Sequence, residues 1–346
     1  MRHTILIPDA TRIRARALLD DLRSREKRPG ARLAARLAGT DLRDLTENSF
    51  LFSLIDTKVP RIFAESEVAG DGSDWTLDEL RLLGDLSISV PVTVFDDGNH
   101  HRPTPHAHPF AGTLVFTPGA LLRAGGGREP ADWAEAVHAD GTLSREGYFG
   151  LYERRLGAVF SHINAAAAAS GLPAFVTVPG LGCGQFAGPF AGRLGRELGG
   201  VIERILEKHG AGWPHLRVVY FDPYAEGENR TRTIHGLSFR IRPLRKGNEG
   251  KSQLLPPPAY AEPGDDFSTC SFFSLVAWDH VSWPGNDFFA GARSTDDGVK
   301  AAATDSMAVL TGVPGRYDAA SGAYLPPSPC STWEDVVLEN HLSLTA

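Results

Sequence analysis

Hydrophobic positions near the start of the chain recur at helical spacing. Ile13, Ala17, Leu18 and Leu22 fall on one face of a charged segment, which predicts an amphipathic helix. Thr76 followed by Glu79, just before the run LRLL, reads as a capping box and predicts a further helix start. From about residue 110 the pattern changes to short apolar runs alternating with helical stripes. TLVF (113–116), AFVTV (174–178), LRVVYF (216–221) and SFFSLVAW (271–278) predict buried strands, and LSFRIRPL (237–244) a further candidate. Between them Leu151, Leu156, Val159, Phe160 and Ile163 predict a helix from about Ser144. Phe190, Leu194, Leu198, Val201, Ile202, Ile205 and Leu206 line a second helix, ended by Gly210. A last helix is expected from about Asp296 to Leu310, stopped by Gly312 and Pro314.

This alternation predicts a layered α/β domain with a largely parallel central sheet. Residues 1–80 read as an N-terminal helical accessory region and 81–346 as the catalytic domain. The stretch from about 223 to 266, with RKGNEGKSQ and PPPAYAEPG, breaks the rhythm and reads as an insertion.

Composition narrows the classes. The chain has 35 basic and 42 acidic side chains, a net charge of −7, which argues against a general binder of nucleic acid or anionic membrane. Arginine outnumbers lysine 29 to 6, a skew that codon bias in a GC-rich genome explains. Cys183, Cys270 and Cys330 are too few and too scattered for a disulfide framework or a zinc site, so a reducing, cytoplasmic setting is expected. The opening MRHTILIPDATRIR has an apolar run too short for a signal peptide, and no membrane-length apolar stretch follows. His100, His101, His106 and His108, with Asp96 and Asp97, are metal-ligating types. The interleaved prolines and the lack of a metal-site spacing favour a loop bordering a ligand cleft, and neither metal nor cofactor is expected.

The sharpest chemistry lies in VPGLGCGQFAGPFAG (178–192), between a strand and a helix. Gly180, Gly182, Gly184 and Gly188 are more glycines than one turn requires, and exposed amides there predict an anion site. No Gly-Lys-Ser/Thr closes the loop and the dinucleotide spacing is absent, so it is neither an NTPase loop nor a dinucleotide fingerprint. Cys183 lacks an evident partner base and reads as a small loop residue.

PGLGCGQFAG resembles the diphosphate-binding loop of macrodomains. The resemblance implies a three-layer α/β/α fold with a mixed, largely parallel sheet, and ADP-ribose bound by Gly180, Leu181, Gly182, Cys183, Gly184, Gln185 and Phe186. TPGALLRAGGG (117–127) falls where macrodomains place a ribose-contacting loop, which implies roles for Thr117, Pro118 and Gly119, although the asparagines of that loop are missing. Gly84-Asp85-Leu86-Ser87 resembles the macrodomain start whose aspartate meets adenine. WDHVSWPGNDFFAG followed by TDDGVKAAATDSM is similar to MavL-type macrodomain hydrolases, relatives of poly(ADP-ribose) glycohydrolase. Asp287 lies eight residues after Asp279, and Asp297 ten residues further on. The glycohydrolase motif GGG-x-QEE is absent, because Gly125-Gly126-Gly127 is followed by Arg128-Glu129-Pro130. The resemblance implies removal of ADP-ribose from protein arginine, with Asp279, Asp287 and Asp297 catalytic and Asn286 and Phe288 near the ligand. The implied partners are ADP-ribose and an ADP-ribosylated protein, ubiquitin being one candidate.

Elementary chemistry agrees. A carboxylate holds a guanidinium bidentately. Breaking the bond to ribose builds positive charge that carboxylates stabilise, and a proton must reach the leaving group. Clustered carboxylates raise one another's pKa, which keeps one protonated. Each acid also has a plainer role: Asp296 and Asp297 in a first helical turn, Asn286-Asp287 in an Asx turn, Asp279 in a turn after a strand. Phe288 and Phe289 read as core or as stacking platforms, and His280 as structural. A non-catalytic ADP-ribose reader and a hydrolase of serine- or aspartate-linked ADP-ribose stay open as alternatives.

Overall fold

A computed structural model describes residues 3–61, 73–124 and 127–345. Neighbouring residues of each central strand point to opposite faces of one sheet. Phe116, Phe175 and Phe272 enter one hydrophobic core, while Val115, Val176 and Phe273 enter the other. Such two-sided burial produces the continuous apolar runs seen in the sequence. In spatial order the eight strands are β1 (Thr4–Leu6), β2 (Ser87–Asp96), β3 (Pro105–Pro118), β8 (Ser271–Trp278), β4 (Ala174–Pro179), β5 (Leu216–Asp222), β7 (Leu237–Ile241) and β6 (Arg230–Ile234). Pairing is parallel from β3 through β8, β4 and β5 to β7, and antiparallel at both edges. The sheet is therefore mixed and mostly parallel, with helices on both faces.

On one face lie α1 (Asp9–Ser24), α2 (Ala31–Arg36), α3 (Glu47–Ile55) and α4 (Leu77–Gly84). A short α5 (Trp133–Ala136) precedes α6 (Arg145–Ser170), and α6 and α7 (Leu194–His209) cover the other face. Late in the chain α8 (Asp296–Ala302), α9 (Ser306–Thr311) and α10 (Trp333–Glu339) return to the first face, beside a hairpin of β9 (Arg316–Asp318) and β10 (Ala323–Leu325). The capping box at α4 forms as read: Glu79 N–H donates to Thr76 Oγ1, and Thr76 N–H to Glu79 Oε2.

Several local expectations change. The buried stripe of α1 is Thr11, Ala15, Leu18, Leu19 and Leu22, and Ile13 is exposed. The short apolar run at the start is an edge strand, β1, and β2 precedes the point where strand alternation was read to begin. The stripe that begins at Phe190 is helical only from Leu194, because a 3₁₀ turn, Gln185–Phe190, intervenes. The final helix splits into α8 and α9. Thr304 and Asp305 break it by binding β2: Asp305 Oδ1 accepts from Thr93 N–H at 2.6 Å, and Thr304 bridges Val94. Within 223–266, β6 and β7 extend the main sheet, and the adjoining loop packs back on it through Tyr260.

A buried ionic knot ties the helices to the sheet. Asp85 accepts from Thr11, Arg14, Arg154 and Arg155, and Arg155 also reaches Asp132 at 2.8 Å. These bonds occupy the Asp85 carboxylate, so they oppose the adenine contact that the resemblance implied. The Arg155 side chain has no solvent exposure. Arg155→Ala should destabilise the fold by about 3–5 kcal/mol in a denaturant titration, because Asp132 would stay buried without its cation.

Candidate functional site

A cleft of about 810 Å³ opens at the carboxyl ends of β4, β5 and β8, where loops of an open α/β sheet gather. One wall is the glycine loop, through Gly180, Cys183 and Gly184. Gly182 adopts φ +68°, and a Cβ there would lie 2.6 Å from Ala120 N. A Cβ on Gly119 would overlap Gly182 N. Glycine at both positions thus lets the segments after β3 and β4 lie against each other. Leu122 N–H donates to Phe186 O at 2.9 Å across the same contact. The amides of Gly184, Gln185 and Phe186 donate to no group among the described residues, as an anion cradle requires.

The remaining residues inferred for this region divide. Thr117 is fully buried and Leu181 belongs to the core under α6 and α7. Pro118 and Gly119 offer their carbonyls to Arg155. Gln185 is exposed and accepts from Arg123 at 2.6 Å. Burial and, after it, the Glu226 carboxylate push the Cys183 thiol up, opposite to activation. Gly125 and Gly126 lie outside the described residues.

The acidic segment forms one cluster. Asp279 ends β8 in a turn, where Oδ1 accepts from the amides of Val281 and Ser282 at 2.7 and 2.6 Å. Its Oδ2 accepts from Ser282 Oγ and from Asn286 Nδ2. Asp287 braces the turn before α8: Oδ2 accepts from Ser294 N–H at 2.7 Å and Thr295 N–H at 3.2 Å. Gly298 is glycine because a Cβ would overlap the Asp287 carboxylate. Phe288 and Phe289 are core residues. Arg293 grips Asp96 through both carboxylate oxygens and donates to Asn99 O, so it fixes the 98–101 loop that forms another wall of the cleft. His100 and His101 line that wall, whereas His106 and His108 lie on β3.

Asp297 differs from its neighbours. It is 3% exposed, and its Oδ2 is buried with no partner among the described residues. Burial, then the charges of Asp279, Asp287 and Asp296, drive its pKa well above the carboxylate range, against a bond to Thr295. The Thr295 hydroxyl touches Asp287 Oδ1 and also lies 2.6 Å from Asp297 Oδ1. A hydroxyl has one proton, so both contacts are hydrogen bonds only if one carboxyl is protonated. The contacts do not choose between the two carboxyls; burial and the neighbouring charges favour the neutral form at Asp297. His280 is fully buried beside Asp132, at 3.4 Å, and burial lowers its pKa.

Sequence reasoning missed the far half of the cleft. Asp222, at the end of β5, accepts from the amides of Tyr224 and Leu244 at 2.7 and 2.8 Å. This holds Tyr224 at φ +60°, exposed on the cleft wall, with the Arg245 guanidinium 5.4 Å from its ring centre. Left-handed backbone at a tyrosine is strain that a site can impose. Asp222-Pro223 directly after a predicted strand was the available signal; Arg245 and Gln253 had none. Asp296, read as a helix starter, lines the cleft, whereas Asp279, Asp287 and Asp297 are not among its lining residues. Among the described residues there is no cluster of His, Cys, Asp and Glu suited to a metal ion, and no helix long and apolar enough to cross a membrane.

The sheet order, the glycine loop at the carboxyl end of β4 and the acids after β8 define a macrodomain-type protein. The family model for the macrodomain effector MavL matches residues 3–330, and the chain belongs to that family. No curated protein matches it. Membership associates the chain with ADP-ribose binding and hydrolysis.

Proposed function

We propose that the protein removes ADP-ribose from modified arginine by hydrolysing the bond between the guanidine nitrogen and the anomeric carbon. The observation that carries this reading is the buried Asp297 carboxyl beside two further aspartates, with Oδ2 unpartnered among the described residues and its pKa raised by burial and by those charges. Asp297 gives its proton to the departing guanidine nitrogen as the bond to C1 breaks. The charge building on the ribose is stabilised by the surrounding carboxylates. Water then attacks C1, and its proton returns to Asp297. One water is consumed, and ADP-ribose and arginine are released.

Asp287 remains partly exposed and holds the guanidinium. Asp279, with its four donors from Val281, Ser282 and Asn286, is a positioning residue whose charge also keeps Asp297 protonated. The pyrophosphate lies against the free amides at Gly184, and the adenine against Tyr224. The protein partner is an arginine-ADP-ribosylated substrate; ubiquitin is one to assay. The domain roles follow: residues 81–346 carry the chemistry and the N-terminal helices support it.

The test is release of free ADP-ribose from arginine-, serine- and aspartate-linked conjugates in parallel. Turnover confined to the arginine linkage supports the proposal. Binding of ADP-ribose with no release from any linkage makes the protein a reader. Tyr224→Ala should weaken ADP-ribose and ADP to the same extent, by about tenfold or more, as judged by calorimetry. Unchanged affinities would remove Tyr224 from the adenine site.

A further inference from the structure

Asp296 occupies the first position of α8, yet its side chain does not cap that helix. The cap is Thr295, whose Oγ1 accepts from Gly298 N–H at 3.1 Å. Asp296 instead turns to the sheet. Its Oδ2 accepts from Ala277 N–H at 2.7 Å and from Lys300 Nζ at 3.1 Å. Lys300 is 1% exposed and spends its other two donors on Leu275 O at 2.6 Å and Gln253 Oε1 at 3.1 Å. The ammonium is thus satisfied without solvent, and it fixes one carboxylate oxygen. The other oxygen, Oδ1, has no partner among the described residues, and Asp296 lines the 810 Å³ cleft.

The geometry points to Asp296 as a ligand-binding residue whose free oxygen accepts a hydroxyl of the ribose next to the scissile bond, with Lys300 as its positioning residue. This assignment rests on the proposed ADP-ribose site. It follows from adjacency: Asp297, the acid, is the next residue, so the sugar that it acts on lies at the same end of the cleft. A carboxylate with one oxygen held by two donors presents the other in a fixed direction, which suits a sugar hydroxyl. Gln253 joins this arrangement to the far end, since its Nε2 donates to Asp222 Oδ2 at 3.4 Å and Asp222 braces Tyr224. Gln253 belongs to the stretch between 223 and 266, so that stretch contributes to the lining of the cleft.

The experiment is calorimetric titration of the full chain with ADP-ribose and with ADP, which lacks the second ribose. Asp296→Asn should weaken ADP-ribose by about tenfold or more, the loss expected when a charged hydrogen-bond acceptor is neutralised, while ADP binds as before. Lys300→Met should show the same selective loss, and Lys300→Arg should restore part of it. Retained ADP binding shows that each variant is folded. If Asp296→Asn leaves ADP-ribose affinity unchanged, or lowers ADP and ADP-ribose alike, the assignment falls while the ADP-ribose reading stands. Failure of the unsubstituted chain to bind ADP-ribose overturns both.

Discussion

Asp297→Asn is expected to slow release of arginine-linked ADP-ribose by about two to four orders of magnitude and to raise the melting temperature at neutral pH. The two effects have one cause. Asp297 is buried among like charges, with Oδ2 unpartnered, so its folded-state pKa is raised. In the unfolded chain the carboxyl titrates at about 4. Between that value and the raised folded one, folding takes up a proton, and stability falls as pH rises. Asparagine cannot ionise and removes this dependence. Its stabilising effect should be absent below about pH 4 and grow toward neutrality. Melting curves of both proteins between pH 4 and 8 read the slope directly. A lower melting temperature for the variant at pH 7 would mean an ionised, paired Asp297. The rate of the unsubstituted enzyme should also decline as pH rises through the same raised pKa, and the residual rate of the variant should not. Unchanged turnover in Asp297→Asn would take this residue out of the chemistry.

Gly182→Ala should cost several kcal/mol of stability and abolish ADP-ribose binding, whereas Gly184→Ala should act on the ligand. At Gly182 the backbone is left-handed, and an added methyl would lie 2.6 Å from Ala120 N and 2.8 Å from Ala120 O. Neither backbone can yield without parting the loops after β3 and β4. At Gly184 an added methyl meets no protein atom within 4 Å, and the residue lines the cleft. In the proposed binding mode its Cβ would occupy space that the diphosphate needs. Denaturant titration paired with calorimetry separates the two. Tight ADP-ribose binding by Gly184→Ala would move the diphosphate off this loop.

Much of the frame was legible because its signals are local. The apolar runs of β4, β5 and β8 reflect burial on both faces. The capping box at Thr76 and Glu79 needs only two residues three positions apart at a helix start. Edges were harder. Thr4–Leu6 is three residues long, and its pairing with β2 lies more than eighty residues away. The break between α8 and α9 depends on Asp305 reaching Thr93, a contact across 212 positions. No window of neighbouring residues carries such information.

The candidate site divides in the same way. By itself the sequence determined the strand–helix alternation from β3 to β5, the crowd of glycines after β4 and the presence of several acids after β8, because spacing along the chain sets those. Only the tertiary structure decided where each acid sits and what holds it. Asp279 is saturated by donors from its own turn, Asp287 braces the approach to α8, Asp297 is sealed among charges, and Asp296 is turned by Lys300 into the cleft. Asp296 and Asp297 are adjacent and chemically identical. Their difference comes from desolvation and from partners brought in by distant strands, and these are properties of position in space rather than of order along the chain.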